Sequence, residues 1–251
     1  MIYTTNIKTQ YHGCDVNGRL KISAAMCYMQ QIAGEHLEHL GFSAEKLLRE
    51  NLAFMLTKTC IKVHQMPAAG NILTLCTAPT AVKGVRFTRE FSINSECGVK
   101  LISAQTFWVL IDINSRKIQR PANFPYELPL QPSFVGGDIE DISIVPRGTM
   151  SNPMPEPTET RSVDIRYSHI DINHHVSNSV YADFICDILP YKTLLDCGVD
   201  AIVINFQNEA KYGRALRVER CDIGDAVGDY YICGKSGEST RHFEAFVRLG
   251  C

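Results

Sequence analysis

The sequence contains no C-x-x-C pair. Its ten cysteines stand singly at 14, 27, 60, 76, 97, 186, 197, 221, 233 and 251. A zinc site needs paired ligands at short spacing, so the usual structural zinc modules are excluded. No metal and no cofactor is expected. The thiols read as small buried apolar groups, reduced in a cytoplasmic setting. No apolar run approaches the roughly 18 residues of a membrane helix. The start, Met1-Ile2-Tyr3-Thr4-Thr5-Asn6-Ile7-Lys8, lacks the basic and apolar regions of a secretory signal. A formal charge of -2 gives no global basic field for nucleic acid. The expectation is a soluble cytoplasmic protein with no nucleic-acid or membrane partner.

Proline is scarce except in one place. Eight of the eleven prolines fall between Pro121 and Pro157. Such a stretch is neither a long helix nor a central strand. It reads as a linker over 121–160, separating a unit at 1–120 from one at 161–251. With 45% hydrophobic and 21% charged residues, the rest has ordinary globular composition.

The two units resemble each other. Asp15-Val16-Asn17-Gly18-Arg19-Leu20 in the first matches Asp171-Ile172-Asn173-His174-His175-Val176 in the second. Each places Asp and Asn two apart, just before a helix. Later, Ile61-Lys62-Val63-His64 and Ile204-Asn205-Phe206-Gln207 each lead to a glycine six residues on, Gly70 and Gly213. Duplication of one domain explains so long a repeat.

Periodicity supplies the elements. Ser23 caps a helix over 24–40, carried by Met26, Gln30, Ala33, Leu37 and Leu40 and closed by Gly41. A short helix follows near 44–50. Val180, Tyr181, Phe184, Ile185, Ile188 and Leu189 make the corresponding stripe, which Pro190 interrupts. Phe87, Phe91 and Ile93 share one face of a strand, and Leu101–Ile113 reads as a central buried strand. Residues 94–98 and 234–238 read as hairpin connections. Each unit is therefore strand, long helix and about four antiparallel strands. This is an α+β arrangement in which a sheet wraps a central helix, and the exposed sheet edges of the two units protect each other.

Three segments carry a more specific resemblance. Arg166-Tyr167-Ser168-His169-Ile170-Asp171-Ile172-Asn173-His174-His175-Val176-Ser177-Asn178-Ser179-Val180-Tyr181 is similar to the catalytic region of the acyl-acyl carrier protein thioesterases of plastids and bacteria. So are the run from Trp108 to Pro121 and the segment Asp15 to Leu20, in the same order. The resemblance implies a tandem hotdog fold. It also implies hydrolysis of acyl chains from the phosphopantetheine arm of acyl carrier protein. Carried over, the catalytic residues are Asp171, Asn173, His175 and Glu209. Ala210 stands where plant members have Cys, so a cysteine nucleophile is ruled out there. Arg19 stands opposite His175, so only the second unit reads as catalytic.

Thioester hydrolysis needs an activated water and donors for the oxyanion. His175 or Glu209 takes the proton, and the residues alone do not choose between them. Asn173 donates its amide, and Asp171 holds the geometry. The acidic carrier calls for cations: Lys211, Arg214, Arg217 and Arg220, or alternatively Lys83, Arg86 and Arg89. The acyl chain calls for an apolar tunnel, with Met26, Met29 and Phe54 as candidates. A monomer and a homodimer both fit the pseudo-dimeric repeat. Two rivals remain. One is a hotdog hydratase, whose D-x-N-P-x-H spacing differs from that found here. The other is an acyl-thioester sensor without catalysis.

Overall fold

Alternating and helical patterns sort the chain into the same series of elements twice. A computed structural model describes residues 1–135, 139, 156–223, 228–237 and 239–251. The first series is β1 (Tyr3–Lys8), α1 (Ile22–His39), α2 (Ala44–Arg49), β2 (Leu52–Val63), β3 (Ile72–Lys83), β4 (Arg86–Ser95) and β5 (Lys100–Asp112). The second is β6 (Glu159–Asp164), α3 (Asn178–Ile188), α4 (Tyr191–Cys197), β7 (Val199–Phe206), β8 (Ala215–Asp222), β9 (Asp229–Ser236) and β10 (Thr240–Leu249). Of the stretch read as a linker, residues 136–138 and 140–155 lie outside the described residues, and β6 begins inside it at Glu159.

All ten strands form one antiparallel sheet in the order β1-β3-β4-β5-β2-β7-β10-β9-β8-β6. The halves join where β2 pairs with β7, Lys58 opposite Asn205 and Lys62 opposite Ala201. Two edges that would each be open become one central seam. The architecture is the double hotdog that the repeat and the resemblance implied.

Helix α1 begins at Ile22, and Ser23 sits inside its first turn instead of capping it. The reason lies just upstream. The Leu20 N–H is bonded to the Pro67 carbonyl and the Lys21 N–H to the Gly13 carbonyl, so the chain enters the helix directly from these ties. At the other end Gly41 adopts φ +85, donating to Glu38 while Phe42 donates to Leu37. This paired closure needs the left-handed conformation that glycine accepts. In the second half Pro190 follows directly, and α3 spans 11 residues against 18 for α1.

The main core lies between the helices and the inner face of the sheet. Met26, Met29, Ile61, Phe91 and Ile93 from one half merge with Phe184, Ile202, Ile204 and Phe243 from the other. On the outer face, Cys60, Val203 and Phe246 are covered by Val135 and Ile139. Glu90, 1% exposed, fastens this crossing segment. Its carboxylate accepts the Phe134 N–H at 2.9 Å, the Val135 N–H at 3.3 Å and the Ser133 hydroxyl at 3.1 Å.

Two further expectations change. Gly234 belongs to β9, paired with Phe243, and not to a turn; it is glycine because a β-carbon there would lie 2.2 Å from the Phe243 ring. The turn itself falls at Gly237, φ +59. The cysteines are also not all free: Cys197 and Cys251 form a disulfide, drawn together as the Gly250 N–H bonds to the Gly198 carbonyl.

Candidate active site

The segment 171–175 is a closed loop. Ile170 bridges Val176, and inside that bridge the Asp171 N–H donates to the His175 carbonyl and the His174 N–H to the Asp171 carbonyl, each at 3.0 Å. The Asp171 carboxylate accepts the Asn173 N–H at 2.8 Å, an Asx turn. His174 takes φ +64 to complete the loop. The first half builds the same loop with Gly18 at φ +71 in that place. The Val176 N–H then ties the loop to the Ala210 carbonyl at 2.9 Å, which brings Glu209 alongside.

His175 is half-buried. Its Nδ1 lies 3.2 Å from the Val176 carbonyl and 3.9 Å from Asp171 Oδ1. A carbonyl only accepts, so Nδ1 carries the hydrogen and the Nε2 lone pair is left available. Asp171 thus steers the ring electrostatically, without a direct hydrogen bond, and spends its own bond on the Asn173 backbone. The Asn173 side chain is exposed, in position to meet a ligand. Ser177, at the N-cap of α3, makes no side-chain cap bond; its carbonyl takes the Val180 N–H at 3.0 Å, which leaves the N–H groups of Asn178 and Ser179 to face an anion at the helix start.

Tyr181 closes the floor of the site. Its phenol is 3% exposed, and burial pushes its pKa up to about 12. The Ala210 N–H opposes that rise, while the charges of Glu209 and Asp171 add to it. One phenol therefore feels both carboxylates, and it stays neutral at physiological pH.

Glu209 meets Arg116, whose guanidinium Nη2 lies 2.8 Å from its Oε2. Arg116 comes from the first half and was not among the expected site residues. It belongs to the segment Trp108–Pro121, in which nothing local marks it as a partner 93 positions away.

The expected cations separate. Lys211 and Arg214 line a cleft of about 400 Å³ together with Glu209, Ser236 and His242. Arg217 pairs with Glu219 at 2.8 Å, and Arg220 pairs with Asp222 while donating to the Ile188 carbonyl. Arg89 is excluded as a docking residue. It is 7% exposed and bonded to His36 and Thr77, because it alternates with Phe87 and Phe91 on the inner face. Lys83 and Arg86 remain exposed. Met26 and Met29 line a small cavity with Leu56, Thr59, Phe91 and Trp108. Phe54 lies elsewhere, edge-on to Phe87 and tilted against Phe124 in a separate cluster.

The first half's copy has been put to a different use. Arg19 pairs with Asp15 at 3.2 Å and donates to the Leu195 carbonyl at 2.9 Å, and the Asn17 amide donates to the same carbonyl at 3.1 Å. Where the second half has His175, the first has a clasp across the seam.

Comparison with known proteins places the chain in a family with this fold. Residues 1–123 match the acyl-ACP thioesterase N-terminal domain, and residues 154–242 match the acyl-ACP thioesterase C-terminal domain. The chain is similar to the chloroplastic palmitoyl-acyl carrier protein thioesterase of Gossypium hirsutum, 20% identical over 218 residues, which are 83% of this chain and 52% of that protein. It thus spans about half the length of that curated relative. Its fold is similar to the crystal structure of an acyl-ACP thioesterase from Bacteroides thetaiotaomicron, with a TM-score of 0.78 and 22% identity, covering 99% of this chain and 97% of that one. It is also similar to the 12:0-ACP thioesterase from Umbellularia californica, with a TM-score of 0.80 and 15% identity, covering 99% and 96%. The chain belongs to the acyl-ACP thioesterase family.

Proposed function

We propose that this protein hydrolyses acyl thioesters of acyl carrier protein, releasing a free fatty acid and the carrier's thiol, within fatty acid biosynthesis. The observation that carries this reading is the asymmetry of the two loops. The second keeps His175 with Nε2 available beside Asp171 and Glu209, and the first has turned the same loop into a clasp. The names of the relatives support the same chemistry.

In this mechanism a water sits between Glu209 and His175. As the water oxygen forms its bond to the thioester carbon, one of these residues takes the water's proton. The carbonyl oxygen becomes an oxyanion, met by the Asn173 amide and the free N–H groups at the start of α3. Collapse breaks the C–S bond, and the proton passes to the departing sulfur. Ala210 offers no nucleophile, so water attacks directly.

The acyl chain runs toward Met26 and Met29 beneath α1. The cavity there holds only about 10 Å³, roughly one water, so the flexible methionines move aside to admit a chain. The aromatic cluster around Phe54 forms the further wall. Lys211 and Arg214, beside the cleft at Glu209, receive the acidic carrier, with Arg217 at the margin. Eight of the ten cysteines are free thiols, which favours a reducing compartment such as the cytoplasm, against the single Cys197–Cys251 disulfide.

The test is thiol release from carrier-bound acyl thioesters of graded length, with wild type and His175→Ala side by side. Release by wild type that is lost in a folded variant supports hydrolysis. Hydration of an enoyl thioester without thiol release would replace this reading with the hydratase.

A further inference from the structure

Arg116 reaches the site from the opposite repeat, and the turn that delivers it is firmly built. Asp112, at the end of β5, accepts both the backbone N–H and the hydroxyl of Ser115 at 2.7 Å. Its carboxyl is held below the usual range, first by the Ser115 N–H and then by the hydroxyl. The Ile113 N–H anchors the same turn to the Asn51 carbonyl at 2.8 Å. Arg116 then adopts φ +57, a conformation that a residue with a β-carbon resists. The result is a strained residue whose side chain is 60% exposed, aimed at a single carboxylate.

Stability does not account for this arrangement. An ion pair this exposed contributes little to folding, and the backbone strain works against it. Its partner is also fixed in place. The Asn208 amide donates to the Arg241 carbonyl, and His242 Nδ1 meets the Asn208 carbonyl at 3.1 Å while its Nε2 meets the Ser236 hydroxyl at 2.7 Å. Both ends of the pair are thus held by rigid backbone, and the pair lies beside the phenol that also feels Asp171. Among the described residues, Arg116 is the Arg or Lys that pairs with either site carboxylate.

We infer that Arg116 is a positioning residue of the active site. It holds Oε2 of Glu209 so that Oε1 faces the attacking water, and it thereby makes the first repeat a working part of the catalytic centre. This rests on the hydrolase reading above. It adds that neither repeat carries a complete site alone, although only the second carries the motif.

The experiment compares wild type with Arg116→Lys, Arg116→Ala, Arg116→Gly, Glu209→Gln and Arg116→Ala/Glu209→Gln on one carrier-bound acyl thioester. Glycine accepts φ +57 without strain, so Arg116→Gly removes the guanidinium while relieving the turn and guards against a folding defect. In Arg116→Ala and Arg116→Gly, kcat should fall about 10- to 100-fold with KM nearly unchanged. Arg116→Lys should recover part of the loss, and added guanidinium should partly restore Arg116→Gly. The double variant should be no slower than Glu209→Gln alone, since removing the positioned group makes its positioner irrelevant. An active wild type with unaffected kcat in Arg116→Gly overturns the inference alone. So does a purely KM effect, or additive losses in the double variant. A wild type that releases no thiol overturns the hydrolase reading and this inference together.

Discussion

Met66 in the first repeat and Glu209 in the second occupy the same structural place. Each precedes the carbonyl that receives the loop's outgoing N–H, Leu20 to Pro67 at 2.8 Å and Val176 to Ala210 at 2.9 Å. Together with Arg19 in place of His175, this means that the first loop keeps the shape of the second but neither of the two groups proposed to handle the proton. Duplication left two copies of a geometry, and the two copies then served different ends.

Substitutions at the paired positions should therefore separate activity from stability. His175→Asn and Glu209→Gln should each lower kcat by about 100-fold or more while the melting temperature moves little. Arg19→Ala should do the reverse. It removes the hydrogen bond to Leu195 and the pairing with Asp15, at a cost of roughly 1–2 kcal/mol, with kcat retained. Urea titration and initial rates on the three variants decide this. A large loss of kcat in Arg19→Ala would show that the clasp also shapes the site.

Much of this was legible in the sequence because it was local. The D-x-N loops, the glycine that closes α1 and the doubled order of elements all follow from short spacings. The edge argument implied that the two sheets would join, though not that β2 and β7 would be the strands that meet. Arg116 was not legible, because its meaning depends on a contact that exists only once two repeats share one sheet. Ser23 misled because the ties of Leu20 and Lys21, which set the helix start, are long-range. Arg89 could have been placed correctly. The alternation that put Phe87, Phe91 and Ile93 inside puts Arg89 on the same face, and position in the strand outweighed the expectation that arginine is exposed.

Thr59 offers a test of the cavity beneath α1. It is 1% exposed, and its hydroxyl has no partner among the described residues. It faces Met26, Met29, Phe91 and Trp108. Removing an unpaired buried hydroxyl without changing the shape should help, so Thr59→Val should raise stability by about 1 kcal/mol in urea. Destabilisation instead would mean that the hydroxyl is satisfied by a buried water in that cavity.

His36 gives the fold a dependence on pH. It is 1% exposed, stacked on Tyr3 and bonded through Nδ1 to Arg89. Burial first, then the charges of Arg89, the N-terminal amine and His39, lower its pKa from 6.5 to about 4. The unfolded chain therefore binds a proton between these values and the folded chain does not. Stability is full above pH 6.5 and is lost as the pH falls toward 4, by at most roughly 3 kcal/mol from this group. His36→Gln keeps an acceptor for Arg89 but cannot titrate. Its urea midpoint should vary less than that of wild type across this window. An equal slope in both proteins would assign the dependence to other groups.

Gly234 and Phe243 test how tightly the second half is packed. The Phe243 ring is fully buried against Tyr181, 5.2 Å between centroids, and it occupies the space where a β-carbon at 234 would stand. Ring and added carbon cannot both fit at 2.2 Å. Gly234→Ala should then push Phe243 onto the tyrosine that floors the site, costing about 1–3 kcal/mol by overpacking and lowering kcat as Tyr181 shifts. Phe243→Leu alone should cost a similar amount through the cavity it leaves. Combining them places the new methyl near the space the ring vacates. The double variant should therefore be less destabilised than the sum of the two single changes, with part of the kcat recovered. Strict additivity in a thermal or urea double-mutant cycle would show that the backbone of β9 yields instead of the ring, and that the glycine serves the strand and not the site.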